Sequence, residues 1–192
     1  MKMIGLVAGL LLSASLVFAG EGRTGIYASG GAGLQFGSTE GSNKATDLLE
    51  ALGMDDASVE SKGLQGFAFD LKLGYSIIPN LAVYGIGAVS TDATMTDENI
   101  SFLYLGGGAS YWFPMDIFVG GSIGAGRFNY ENDVFTDDFG FSFRISAGKD
   151  WTIGSRGGIG VELYYQHAAT EDDYYSEWTG NMVGLKCNVS YR

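Results

Sequence analysis

Five charged side chains stand where a strand-forming sequence leaves little room for them. They are Asp70 and Lys72 in FAFDLKLGYSI, Arg144 in FSFRISAGKDW, Glu162 in GVELYYQ and Lys186 in GLKCNVSY. Each falls on the polar parity of an alternating segment, at a similar distance from one end of it. Charges of both signs at similar depth in a narrow space cannot stay unpaired, so the five are expected to form an ion-paired network. Nucleophilic chemistry has less support. The sole histidine, His167, lies on the apolar parity near the end of the seventh segment. GSIGAG at 121–126 has glycines like those of a phosphate-binding turn, but it lies inside a strand pattern with no helix after it. Cys187 is the single cysteine and cannot form an internal disulfide; on the parity of Val183, Leu185, Val189 and Tyr191 it reads as a small apolar side chain. No cofactor is expected.

The elements that would position these residues alternate with period two. Eight such segments run over 24–36, 64–77, 81–91, 100–113, 117–129, 138–151, 157–169 and 180–191. The first opposes Ile26, Ala28, Ala32, Leu34 and Phe36 to Tyr27, Ser29, Gly31, Gly33 and Gln35. The sixth opposes Phe139, Phe141, Phe143, Ile145 and Ala147 to Gly140, Ser142, Arg144, Ser146 and Gly148. The seventh sets Ile159, Val161, Leu163 and Tyr165 against Gly160, Glu162, Tyr164 and Gln166. The third and fourth, LAVYGIGAV and FLYLGGGASYWF, are apolar on both parities, and their faces stay open. Connections are long and acidic after the first, third, fifth and seventh segments and brief after the others, as in Ile78-Pro79-Asn80 and Pro114-Met115-Asp116. An up-and-down meander with two unlike ends follows. With 31 Gly, 2 Pro and 14% aromatic residues, the chain suits closely packed strands better than a helical bundle.

Residues 1–20 read as a secretory signal peptide: Lys2, the apolar run Ile4 to Leu12, and Val17-Phe18-Ala19 before cleavage near Ala19 or Gly20. One domain, 21–192, remains. No later stretch is apolar enough for a spanning helix. The net charge is −11, and most of the acidic residues lie in the long connections, where Lys44 and Lys62 are the basic ones. Nucleic acid is therefore not an expected partner. The carboxylates are read as solvation, with Ca²⁺ or Mg²⁺ recruitment at 131–133, 137–138 or 171–173 as the sharper alternative, although no ligand spacing is recognisable. Asp47-x-x-Glu50 and Gly53 bracket a short helix around Leu48, Leu49 and Leu52. Tyr174, Tyr175 and Trp178 in DDYYSEW form a candidate contact surface or a folded loop cap.

Eight antiparallel strands close into a barrel just wide enough for side chains. A soluble lipocalin-like carrier would put the apolar parity inside; a membrane barrel puts it against lipid. Three features favour the membrane. The polar parity is Gly, Ser and Ala with occasional charge, which fills a narrow lumen. Aromatic residues bunch at strand ends, with Tyr111, Trp112, Phe113 and Phe118 at one short turn, Trp151 before another and Tyr191 at the terminus, as in an interfacial girdle. The segments are also long enough to span the hydrocarbon.

GKDW at 148–151, GGIGVELYYQ at 157–166 and the final GLKCNVSY, set among eight alternating segments, resemble the small outer-membrane β-barrel superfamily of OmpX-like proteins, OmpA membrane domains and porin-family proteins. The resemblance implies an all-β, eight-stranded, antiparallel up-and-down transmembrane barrel in a Gram-negative outer membrane, with long loops extracellular. It implies lipid and lipopolysaccharide as surroundings, a monomer, and barrel-assembly machinery reading Val189 and Tyr191, although Arg192 follows the aromatic residue. The expected function is a non-enzymatic structural or cell-surface interaction role, a surface ligand being met by the acidic loops. The plugged lumen would leave at most a narrow gated pore. The alternatives are a lipid-A-modifying enzyme, whose His-x-Ser pair the sequence departs from at Ala168 and Ala169, and a periplasmic lipocalin-like carrier.

Overall fold

The computed structural model describes residues 24–43, 60–92, 100–130, 139–171 and 176–192. Eight strands account for nearly all of them: β1 (Gly25–Asn43), β2 (Glu60–Ile78), β3 (Leu81–Asp92), β4 (Ile100–Trp112), β5 (Ile117–Tyr130), β6 (Gly140–Ile153), β7 (Gly157–Glu171) and β8 (Ser176–Tyr191). Each pairs antiparallel with its chain neighbours, and β1 also pairs with β8, so the sheet closes on itself and has no edge. Among the described residues no helix is long and apolar enough to cross a membrane; in this molecule the strands have that length. The signal-peptide segment, the Asp47–Glu50 capping box, the 131–133 and 137–138 carboxylates, Asp172, Asp173, Tyr174 and Tyr175 lie outside the described residues.

Alternation locates five strands to within a few residues and undershoots at the long-connection ends of β1, β2 and β8. There the sequence becomes polar on both parities, as in GSTEGSN, and the period-two signal stops. Backbone pairing needs no apolar face. The ladder continues in register to Gly41↔Glu60 on one side and Asn43↔Ser176 on the other.

The apolar parity faces outward. Leu34, Phe36, Phe67, Leu73, Ile77, Phe141, Ile145, Leu163 and Leu185 are exposed, while Ser29, Gln35, Asp70, Lys72, Arg144, Glu162 and Lys186 are buried. A soluble carrier would show the reverse. The faces left open in β3 and β4 are now assigned: Ala82, Tyr84, Ile86, Ala88, Phe102, Tyr104 and Trp112 point inward, with Val83, Val89, Leu105 and Tyr111 outward. Their ambiguity has a physical source, because this half of the lumen is filled by aromatic and aliphatic side chains. The proposed girdle needs correction for the same reason. Tyr111, Phe113 and Trp151 are outward and exposed, but Trp112 and Phe118 are buried in the lumen, and Tyr191 is buried as well, beneath Arg156. Residue type could not reveal this; parity alone separates Trp112 from Tyr111.

Closure at this radius demands glycine where strands curl inward. A Cβ on Gly74 would overlap the Val83 carbonyl oxygen, and one on Gly108 the Gly121 carbonyl oxygen. Outward Gly87 has no such conflict, its added Cβ meeting Leu105 Cδ2 at 3.6 Å. Gly74→Val and Gly108→Val are therefore expected to destabilise the closed barrel by about 1–3 kcal/mol or more through overpacking. Gly87→Val should fold like the wild type, and the folded fraction on unheated against heated SDS gels checks all three.

Candidate functional site: the ion-paired lumen

The five charged residues meet. Alternation places Asp70 and Lys72 on the inner face of β2, Arg144 on β6, Glu162 on β7 and Lys186 on β8, each nearly inaccessible to solvent. In a ring of eight strands β2 and β6 stand opposite each other, so the Arg144 Nη1 to Asp70 Oδ2 bond of 2.8 Å crosses the lumen. Lys72 Nζ donates to both oxygens of Glu162 at 3.0 Å. Lys186 bridges the two acids, bonded to Asp70 Oδ2 and lying 3.2 Å from Glu162 Oε1. Three cations therefore share two carboxylates.

Three tyrosines help to accommodate the surplus cation. The Arg144 guanidinium lies 4.3 Å from the Tyr164 ring centroid and 5.6 Å from that of Tyr104. Lys186 Nζ is 5.2 Å from Tyr164, and Lys72 Nζ is 5.4 Å from Tyr84. Their negative ring faces stabilise desolvated positive charge without another acid. Toward the long connections the network becomes neutral. Gln166 Oε1 accepts from Arg144 Nε at 3.0 Å, Tyr164 donates to Gln35 Oε1 at 2.8 Å, and Gln35 Nε2 donates to Ser90 Oγ at 3.1 Å. Above it Phe102 and Phe128 stack at 4.7 Å among buried Leu64, Ala168 and Met182.

A second polar layer closes the short-turn end. Trp112 Nε1 donates to Asp150 Oδ2 at 3.0 Å, and Tyr27 packs edge-on against Trp112 at 5.6 Å. Arg192 folds beneath them, its guanidinium 4.5 Å from the Trp112 ring and its Nη2 3.0 Å from Asp116 Oδ1. Asp116 and Met115 form a left-handed pair in the turn Pro114–Asp116. Lys149 and Thr152 bind that turn, donating to the Met115 carbonyl oxygen and to Asp116 Oδ2. The cavity at Gln35, Leu64, Ser90 and Phe102 measures about 10 Å³, room for no more than about one water.

Sequence reasoning missed the tyrosines and the lower seal. Tyr164 and Gln166 share the parity of Glu162, so the alternation did carry their signal. Nothing local to Trp112, Asp150 or Arg192 announces their meeting, because it depends on the ring's diameter. Trp178 is half-buried on the lumen parity of β8, opposite Thr170, so it belongs to the barrel mouth more than to an exposed loop. Val189 is exposed on the outer face. GSIGAG lies inside β5, with Ser122, Gly124 and Gly126 on the lumen parity. His167 is on the outer face, its Nδ1 3.0 Å from Asn181 Oδ1.

A family model described as outer membrane protein beta-barrel domain matches residues 4–192. Among solved structures, the fold is similar to that of Neisserial surface protein A, at 11% identity and TM-score 0.62 over 90% of this chain and 99% of that one. It is also similar to OprG from Pseudomonas aeruginosa, at 9% identity and TM-score 0.49 over 90% and 98%. Ail of Yersinia pestis aligns at 13% identity and TM-score 0.42 over 83% and 98%. At such identities the likeness is one of fold. No curated protein matches the chain.

Breaking the network on one side should be worse than removing a pair. Glu162→Ala strands Lys72 and is expected to lower the unfolding free energy by about 3–5 kcal/mol. Lys72→Met with Glu162→Leu should cost less than the two single changes summed, and a double-mutant cycle of urea unfolding in detergent or vesicles measures the difference.

Proposed function

Because the chain belongs to the family of outer membrane protein beta-barrel domains, we propose that it is a non-enzymatic barrel with a structural or cell-surface interaction role in the Gram-negative outer membrane. Its long acidic connections face outward, and its lumen is closed to steady flow. One observation carries this reading: the charge cluster crosses the whole lumen, from Asp70 on β2 to Arg144 on β6, between an aromatic layer above and the Trp112–Asp150 layer below. A wide channel would need those layers absent. The long connections carry most of the acidic residues, a charge that suits contact with cations or basic surfaces.

The enzymatic alternative is weaker on chemistry. His167 directs Nδ1 at Asn181, Ala168 and Ala169 follow it, and Ser142, the serine hydroxyl whose hydrogen bond reaches its backbone, is buried on the lumen face and donates to the His167 carbonyl oxygen. Among the described residues no charge-relay geometry forms around His167.

Two measurements test the proposal. In planar bilayers the protein should give at most small, brief openings; large steady single-channel conductance would refute the closed lumen. An epitope placed between Asp92 and Ile100 should be labelled on intact cells by an impermeant reagent, while one at 154–156 should need permeabilised cells. The opposite pattern would invert the orientation.

A further inference from the structure

Among the described residues, buried side-chain atoms that lack a hydrogen-bond partner gather at one end of the lumen. Apart from Thr39 Oγ1 they are Asn188 Oδ1, Ser190 Oγ, Arg192 Nη1 and Arg156 Nε, all toward the short turns. The first three stand at successive positions on the lumen parity of β8 and its continuation, and their residues are 6%, 3% and 6% exposed. Polar groups buried so deeply are costly to leave unpaired, and the strands around them supply no partner.

The neighbouring strands leave room beside these atoms. Gly158 and Gly160 of β7 face inward opposite Ser190 and Asn188, and β1 contributes Ser29 and Gly31 on the other side. The point where a Cβ on Gly158 would stand lies 2.6 Å from Ser190 Oγ, with the next nearest atom, the Trp151 carbonyl oxygen, at 3.7 Å. A Cβ on Gly160 would stand 3.1 Å from Asn188 Oδ1 and against Asp150 Oδ1. Above, the central cluster forms a roof: a Cβ on Gly31 would meet Asp70 Oδ1 at 2.9 Å and Lys186 Cδ at 3.1 Å. Below, Arg192 crosses the mouth. β8 and β4 stand opposite each other in the ring, yet the Arg192 guanidinium reaches Trp112 on β4 and Asp116 in the turn that follows. Its far end is held by that ring and by one ion pair, in which the Asp116 side chain is 27% exposed. A partly exposed ion pair is weak and screened by salt, so the crossing can be withdrawn.

The unpaired atoms define what the hollow takes. A guanidinium N–H, a hydroxyl and an amide oxygen on one strand match a molecule that both donates and accepts hydrogen bonds. Arg192 opposes a cation, and the Asp150 carboxylate, bonded by Asn188 Nδ2 at 3.4 Å, opposes an anion. We propose that the short-turn end of the lumen is a gated vestibule for water and small neutral polar molecules. Asn188, Ser190 and Arg192 Nη1 are its binding groups, and the Arg192–Asp116 pair is its bolt. The vestibule deepens the closed-lumen reading and rests on it, because it opens to the short-turn side alone and ends blind at Asp70 and Lys186.

Thiol accessibility in the detergent-solubilised full chain tests the vestibule, with Cys187→Ala removing the outer-wall thiol. The thiol introduced by Ser190→Cys is exposed to hydroxyethyl methanethiosulfonate, a small neutral polar probe, and mass spectrometry follows the rate. Asp116→Asn keeps the volume of the bolt but not its ion pair and should speed labelling about threefold to fivefold, and Arg192→Ala at least about tenfold. Added NaCl should speed labelling when Asp116 is present and have no effect in Asp116→Asn. The aminoethyl and sulfonatoethyl reagents, each normalised to its rate with free cysteine, should both be slower than the hydroxyethyl one. Ser29→Cys, facing Ser190 from β1, repeats the series if a variant at 190 loses its heat-modifiable band. Unchanged rates in folded Asp116→Asn and Arg192→Ala proteins would overturn the bolt, and faster labelling by a charged reagent would overturn the ligand class. Large steady conductance of the wild type would instead overturn the closed lumen beneath both.

Discussion

Every backbone N–H and C=O of a strand in lipid must find its partner within the protein, and with eight strands the only way to achieve this is to pair the last with the first. The β1–β8 ladder, continuous from Ala28↔Tyr191 to Asn43↔Ser176, is that closure. The rest follows from the radius it imposes. Inward residues face one another at side-chain distance, so bulky groups must interdigitate, glycine must stand where strands curl, and an inward charge has no bulk water to retreat to. The contact between Asp70 and Arg144 across the lumen expresses the same constraint as the glycine at 74.

Closure also explains which parts of the molecule a reader of the sequence can see. Lipid selects the outer parity directly, so FAFDLKLGYSI and FSFRISAGKDW disclose their faces residue by residue. The lumen selects only for fit. Where fit is met by Ser, Gly and charge, as in β1, β6 and β7, the alternation is clean; where Tyr84, Ile86, Phe102 and Tyr104 meet it, both parities look greasy and the signal cancels. The girdle misreading of Trp112 and Phe118 comes from this cancellation. The ends of β1, β2 and β8 were hidden for a different reason, since beyond the membrane a ladder is held by backbone bonds that leave no mark on hydropathy.

The five lumen charges were legible as a set because each interrupts an apolar strand at similar depth. Their pairing was not. Asp70 and Lys72 share one face of one strand, yet Asp70 bonds to Arg144 and Lys186 while Lys72 bonds to Glu162. Choice of partner depends on barrel shear, which sets how far the register advances around the ring, and no local pattern encodes it.

The surplus of one cation over the two acids is most intelligible through the rings around it. A third carboxylate beside Asp70 and Glu162 would bring like charges together in a space too dry to screen them, whereas Tyr84, Tyr104 and Tyr164 offer negative faces that carry no net charge. Their hydroxyls are used as well: Tyr104 donates to Ser122 Oγ at 2.9 Å and Tyr164 to Gln35. Each tyrosine thus fills volume, softens the positive field and satisfies a polar neighbour at once. Asp150, one layer lower, is engaged by Trp112 and Asn188 and contributes negative charge without crowding the central acids. Any ion crossing the lumen would have to disturb the aromatic layer, the central cluster and the Trp112–Asp150 seal in series. On the closed-lumen proposal, loss of one layer leaves two standing, so that reading does not hang on any single salt bridge.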